Sequence, residues 1–184
     1  MQIHELLDRL ELISPNNTFF TDLRKTILNN DQFALFRLLQ QQTSSQLVEG
    51  LRKYKDNTEF NADCFSRGQL ESKLWLVKEL QKTKVDLGTV FLCAGWYATL
   101  ATMLFESSIT VDKIRSFDID DTCRDIAETF NKPWVKDNWK FKSSTKDIMD
   151  INYEFERYEV IRADGTTCPL DDTPDTIINT SCEH

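Results

Sequence analysis

The sequence predicts an α/β protein in which a helical module precedes a partial, mostly parallel sheet. Three observations carry that prediction. Apolar residues in the first fifty or so positions recur at helical spacing. Val90-Phe91-Leu92-Cys93 is a short, continuously apolar run, as expected for a parallel strand covered on both faces. Behind it come a glycine turn, a helical pattern and a second strand pattern ending in Phe117-Asp118-Ile119-Asp120.

Helices come first. Ile3, Leu6, Leu7 and Leu10 fall on one helical face, and Ser14-Pro15-Asn16-Asn17 stops that helix. Thr21 is a candidate cap for a second helix ending at Leu28, and Asp31 for a third with Phe33, Phe36 and Leu39 on its apolar face. Ser44 or Ser45 opens a short helix carrying Leu47, Val48 and Leu51. Residues 52–67 are polar and rich in turn formers, so the expected division is residues 1–67, helical module and connection, and residues 68–184, sheet domain. In the next helix Leu70, Leu74, Val77 and Leu80 make the apolar stripe, with Trp75 beside it.

The sheet then begins. Strands are expected at residues 90–93, 114–117, 139–143 and 176–180, and residues 155–161 supply a further strand or half of a hairpin. Helices over residues 97–105 and 121–130 connect the first three, using Leu100, Met103 and Leu104, then Ile126, Ala127 and Phe130, as core. Residues 169–174, bounded by prolines, read as loop.

Composition excludes several classes. An apolar fraction of 40%, with twelve Phe and four Trp, can support a buried core and argues against general disorder. Residues 90–104 are too short and interrupted to cross a bilayer, and His4, Glu5 and Asp8 do not fit a secretory signal, so a cytoplasmic location is expected. Five scattered cysteines are expected as thiols, and with only two histidines no metal ligand is assigned. The net charge of −8 disfavours a surface built wholly to neutralise phosphates. A local groove stays open, because Lys132, Lys136, Lys140, Lys142 and Lys146 are interleaved with Trp134, Trp139 and Phe141. The alternative is a solvated surface whose aromatic residues face the core.

The candidate site lies at the strand ends. Gly95 allows close approach of a ligand and a positive φ, and Trp96 and Tyr97 overhang the turn. With one glycine the three-glycine diphosphate fingerprint is absent, which favours S-adenosylmethionine over a dinucleotide. Asp118 or Asp120 is expected on a ribose diol, unless Asp118 caps the helix beginning near Thr122, and Asp147 on the adenine amino group. Asn179 and Thr180 are expected beneath the reacting methyl, with Glu183 or His184 accepting a proton.

Together, Ser72-Lys73-Leu74-Trp75-Leu76, Gly95-Trp96-Tyr97, Ser116-Phe117-Asp118-Ile119-Asp120-Asp121 and Asn179-Thr180-Ser181-Cys182-Glu183-His184 resemble the class I S-adenosylmethionine-dependent methyltransferases. More narrowly, they look like a methyltransferase-like group of bacterial viruses and bacteria. The resemblance covers roughly residues 70–184 and implies a partial Rossmann-like methyltransferase sheet. It further implies that the turn from Cys93 through Tyr97, with Cys93, Gly95, Trp96 and Tyr97 as cofactor contacts, holds the methionine part of the cofactor, that Asp118 or Asp120 holds the ribose, and that residues 179–183 border the methyl-transfer site. The family's Asp-Pro-Pro-aromatic or Asn-Pro-Pro-aromatic segment is replaced by Asn179-Thr180-Ser181-Cys182. The acceptor, whether nucleic acid, protein or small molecule, is therefore left open. Because the family sheet continues through further strands, this chain is expected to be a shortened form, or a relic that binds cofactor without turnover. A homo-oligomer or a protein partner is expected to cover the exposed edge of its last strand.

Overall fold

The computed structural model describes residues 19–29, 46–54 and 60–181. The chain divides into two compact units, Met1–Asn57 and Thr58–His184. In the first, α1 is Phe19–Leu28 and α2 is Gln46–Tyr54. Thr21 lies inside α1 and does not cap it; the Thr26 hydroxyl donates to the Asp22 carbonyl one turn back. Val48, Leu51 and Tyr54 of α2 are buried, as the helical spacing requires. The helices expected at 3–10 and from Asp31 lie outside the described residues.

The second unit is a mixed α/β structure. A 3-10 turn, Ala62–Phe65, is capped by the Asn61 side chain, which accepts from the Asp63 amide, and leads into α3, Arg67–Thr83. Only Val77 of the expected stripe is fully buried in α3. Leu74 is 45% exposed and Trp75 64%, so the buried face is narrower than the apolar pattern.

Four parallel strands form the sheet: β1, Thr89–Cys93; β2, Lys113–Asp118; β3, Phe141–Thr145; and β6, Thr176–Asn179. Their order is β3-β2-β1-β6. Every residue of β1 is buried, which is why its sequence shows no polar alternation. Between β1 and β2 runs α4, Thr99–Glu106, and between β2 and β3 run α5, Cys123–Phe130, and the short α6, Lys132–Lys136. Leu100, Met103 and Leu104 of α4 and Ile126, Ala127 and Phe130 of α5 are buried as expected. Phe60 and Phe65 meet the Phe130 ring, and Phe60 also stacks on Tyr97, tying the start of this unit to its helical layer.

The opposite face is covered by a hairpin. β4, Glu156–Ile161, pairs antiparallel with β5, Thr167–Asp172. Tyr158 and Val160 join Phe91, Cys93, Phe117 and Ile151 in one cluster, flanked by Cys168 and Leu170. Thus residues 169–172 are strand, not loop. Burial alternates along β5, but Pro169 and the Asp171-Asp172 pair mask that period in the sequence. In a two-stranded hairpin Pro169 can occupy a position whose missing donor is not needed.

A buried polar latch fixes the hairpin to the sheet. Arg115 Nε donates to Asp172 Oδ2 at 2.8 Å, Tyr158 Oη donates to the same oxygen at 2.5 Å, and Lys113 Nζ contacts Oδ1. The Arg115 and Asp172 side chains are only 6% and 3% exposed, so each charge depends on the other for compensation. Burial works to raise the Asp172 carboxyl, but the bonds from Lys113, Tyr158 and Arg115 outweigh it and hold it below the usual carboxylate range. A depressed carboxyl contributes stability above its unfolded value and loses that contribution as pH falls through its folded value. Asp172→Asn is therefore expected to cost about 3–5 kcal/mol in urea unfolding at pH 7. It should also flatten the loss of stability below about pH 4 that the unsubstituted chain shows. An unchanged acid limb would remove Asp172 from this role.

Candidate functional site

The strand order sets the location. β1, β2 and β3 advance to one side, and the chain then returns to place β6 on the other side of β1. The reversal leaves a crevice at the carboxyl ends of the strands, where open α/β sheets bind ligands. A cavity of about 600 Å³ lies there, lined by Ala94 after β1, Asp118 and Ile119 after β2, Asp147, Ile148 and Met149 after β3, and Asn179 and Ser181 after β6. Asp118, Asp147 and Asn179 were read from the sequence as site residues, and the topology brings all three to one cavity.

The turn after β1 is strained. Ala94, Trp96 and Ala98 have φ of 51°, 50° and 48°, a left-handed conformation that costs each non-glycine residue about 1–2 kcal/mol. Gly95, expected to supply the positive φ, does not adopt it. Its lack of a Cβ serves packing instead: a Cβ there would stand 2.2 Å from Ser116 Oγ on β2 and 3.2 Å from Leu92. Gly95 is thus pressed onto the sheet and does not line the cavity.

Hydrogen bonds hold this turn from several sides. The Gly95 amide donates to the Phe117 carbonyl, the Trp96 amide to Asp118 Oδ2 at 2.7 Å, and the Ala98 amide to the Gly95 carbonyl. Asn131, fully buried at the end of α5, donates to the carbonyls of Ala98 and Ala127 and accepts from the Thr102 hydroxyl. Thr180, expected beneath a reacting group, turns its hydroxyl to the carbonyls of Cys93 and Ala94. The Tyr97 hydroxyl accepts from the Asn61 amide, and its ring stacks between Phe60 and Trp96. Tyr97 is therefore a buried support, and Trp96 is half-buried against it. Neither borders the cavity.

The acids divide by role. Asp118 Oδ1 accepts from the Asp120 amide, so Asp118 braces both the β1 turn and its own loop while facing the cavity. It does not cap α5. Asp120 accepts from the amide and hydroxyl of Thr122 at the start of α5, and these bonds, the hydroxyl first, lower its carboxyl below the usual range. Asp120 thus has a helix-start role and is not among the cavity-lining residues. Asp147 caps a short 3-10 turn, Ile148–Asp150, by accepting from the Met149 amide, and Asn179 Oδ1 accepts from the Ser181 amide.

Cys93 ends β1 and is 1% exposed. Its Sγ lies 3.6 Å from the Tyr153 hydroxyl, which also contacts the Ile148 carbonyl. Burial raises the Cys93 thiol and pushes the Tyr153 hydroxyl up to about 12, so neither is ionised near neutral pH. Glu183 and His184 lie outside the described residues.

Ala94 and Ser181, which fall in the turn and the last segment expected at the site, line the cavity too, and Ile119, Ile148 and Met149, which the sequence did not assign to it, complete the lining. A signal existed for Ile119 and Met149: each is a large apolar residue in an acidic loop, and they are 71% and 84% exposed. In the lysine and aromatic mixture, three of the five lysines are paired with acids. Lys142 is buried, pairs with Glu128 and donates to the Ile161 carbonyl; Lys146 pairs with Glu156 and Lys140 with Asp137. Trp134 stacks on Phe105, Phe141 is buried, and Trp139 packs beside the hairpin cluster.

Gly95→Ala is expected to destabilise the unit by about 1–3 kcal/mol, and adding Ser116→Ala should recover part of that loss. Thermal or urea unfolding of the two variants measures both, and equal stability of Gly95→Ala and the unsubstituted chain would contradict the packing role.

Comparison with protein-family models, with curated proteins and with solved structures finds no match to this chain.

Proposed function

We propose that the second unit binds S-adenosylmethionine and acts as a class I methyltransferase-like domain with a Rossmann-like sheet. The supporting observation is the cavity at the sheet's reversal point, whose described lining carries two carboxylates, Asp118 and Asp147, and no cation. That charge suits a ligand bearing a sulfonium and hydroxyls and opposes a diphosphate. The amides of Gly95, Trp96 and Ala98, which a diphosphate would need, are already donated within the protein.

In this reading Asp118 accepts from the ribose through the second lone pairs of its carboxylate. Ile119 and Ile148 offer apolar surface to the adenine, and Asp147 accepts from its amino group. Asn179 borders the end of the cavity nearest β6, where its amide orients the acceptor. Bound there, the cofactor would supply a methyl group activated on sulfur. With Asp118 and Asp147 engaged by the adenosine, Asn179 is the described lining residue that aligns a nucleophile beside it.

A second reading, a cofactor-binding or interaction module without turnover, is favoured by one observation. Asp118, Asp147 and Asn179 each already accept a backbone amide, so their described task is bracing. A second copy or a protein partner would then add along β6, which among the described residues has a neighbouring strand on one side only.

Calorimetric titration with S-adenosylmethionine, S-adenosylhomocysteine and NAD tests both. Binding of the two S-adenosyl compounds and not NAD is expected, and Asp147→Asn should weaken S-adenosylhomocysteine by about 1–3 kcal/mol. Preference for NAD would overturn the cofactor assignment. S-adenosylhomocysteine binding with no transfer from labelled S-adenosylmethionine to nucleic acid, protein or small-molecule acceptors would favour the module reading.

A further inference from the structure

We infer that Tyr153 is a positioning residue of the cavity, a bridge whose hydroxyl joins the end of β1 to the wall after β3 and so fixes the spacing across which a ligand is held. The inference rests on the reading of this cavity as the ligand site.

The wall is a loop between β3 and β4, and it supplies Asp147, Ile148 and Met149 to the lining. Its base is closed by Glu156, which pairs with Lys146 and accepts from the Asn152 amide. Ile151 is buried in the cluster of Phe91 and Phe117, and Ile148 packs against that cluster. The remaining bonds are local: Asp147 takes the Met149 amide, the Asp150 amide donates to the Asp147 carbonyl, and Asn152 takes the Glu154 amide. Met149, Asp150, Asn152 and Glu154 are exposed. Apolar packing thus holds the loop down without fixing where its backbone stops.

Tyr153 supplies that stop. Its hydroxyl has one proton, which it donates to the Ile148 carbonyl at 2.9 Å, and its oxygen is left to accept from the Cys93 thiol 3.6 Å away. Beyond the last ladder bond, from the Lys146 amide to the Asp118 carbonyl, this is the described hydrogen-bonded link from the loop to the parallel sheet. Cys93 is buried at the carboxyl end of β1 and is the ladder partner of Asn179 on β6, one strand spacing of roughly 4.8 Å away. Asp147 and Asn179 line the cavity from separate elements, and the bridge ties the turn that carries one to the strand end beside the other. Tyr153 is not itself among the lining residues, and acts through Ile148.

The test compares the whole chain with Tyr153→Phe, which keeps the exposed ring and removes only the bridging oxygen. Circular dichroism and thermal melts establish folding. Two readouts need no ligand: alkylation of Cys93 by iodoacetamide, located by peptide mass mapping, and hydrogen exchange of residues 147–151. The third is titration of S-adenosylhomocysteine. In Tyr153→Phe, alkylation and exchange should each rise about three- to tenfold, the local opening that loss of one hydrogen bond permits, while exchange across β2 stays unchanged. S-adenosylhomocysteine should bind about three- to tenfold more weakly. Unchanged alkylation and exchange would overturn the inference, as would a rise spread equally over β2, which marks general destabilisation. Local opening with an unchanged S-adenosylhomocysteine affinity would also overturn it, because the residue would then brace the wall without positioning a ligand. If S-adenosylhomocysteine binds neither protein, the cofactor assignment fails, and the bridge stands or falls on alkylation and exchange.

Discussion

The hydrogen bond from the Trp96 amide to Asp118 joins the turn after the central strand to the end of its neighbour, and the cavity's shape depends on it. Without that acceptor, Trp96 would have little reason to hold a left-handed conformation that a tryptophan disfavours. The strain is distributed over three non-glycine residues and balanced from three segments, by Phe117 and Asp118 at the end of β2, by Asn131 after α5 and by Thr180 after β6. Backbone strain that survives because its surroundings over-determine it is a mark of sites where geometry matters more than local stability.

The two faces of the sheet are held by different physics. On the helical side, buried aliphatic side chains and the rings of Phe60, Phe65 and Phe130 exclude water. On the hairpin side, an apolar cluster around Phe91 and Phe117 is combined with buried charge, with Arg115 against Asp172 and Lys142 against Glu128. Burying those ions stabilises less than an apolar layer would, but it penalises other dockings of the hairpin, because a shift in register would leave a desolvated arginine without its acid. The same side chains cover open backbone. Lys142 and Ser144 on β3 donate to the carbonyls of Ile161 and Glu159 on β4, and Glu128 accepts from the Ser143 amide.

Much of this was legible in the sequence where one physical requirement dominates a segment. Thr89–Cys93 had to be covered on both faces because it contains no polar alternation, and Asp118, Asp147 and Asn179 follow strand patterns at the end where a parallel sheet opens. The lines that could not be read are those where two requirements compete. Gly95 looked like a conformational glycine, but its neighbour across the sheet, Ser116, makes it a steric one. Asp118 and Asp120 are equivalent as acids near a strand end, and only the fold reveals that one faces the cavity while the other starts a helix. In β5 a proline and two aspartates hide an alternating strand, because the compensating Arg115 is distant in sequence. Lys142 suggested a phosphate-binding surface for the same reason: its partner acid, Glu128, belongs to another element.

The β1–β6 ladder brings together segments 86 residues apart, and Thr180 closes it onto the carbonyls behind Cys93 and Ala94. Such a pairing closes only after the intervening helices and hairpin have found their positions, since long loops must be ordered before the contact stabilises anything. The last strand is also the one that brings Asn179 and Ser181 to the cavity. A molecule gripped by both ends of that span would act as a rivet across the slowest seam of the fold, coupling occupancy of the cavity to the chain's resistance to local opening.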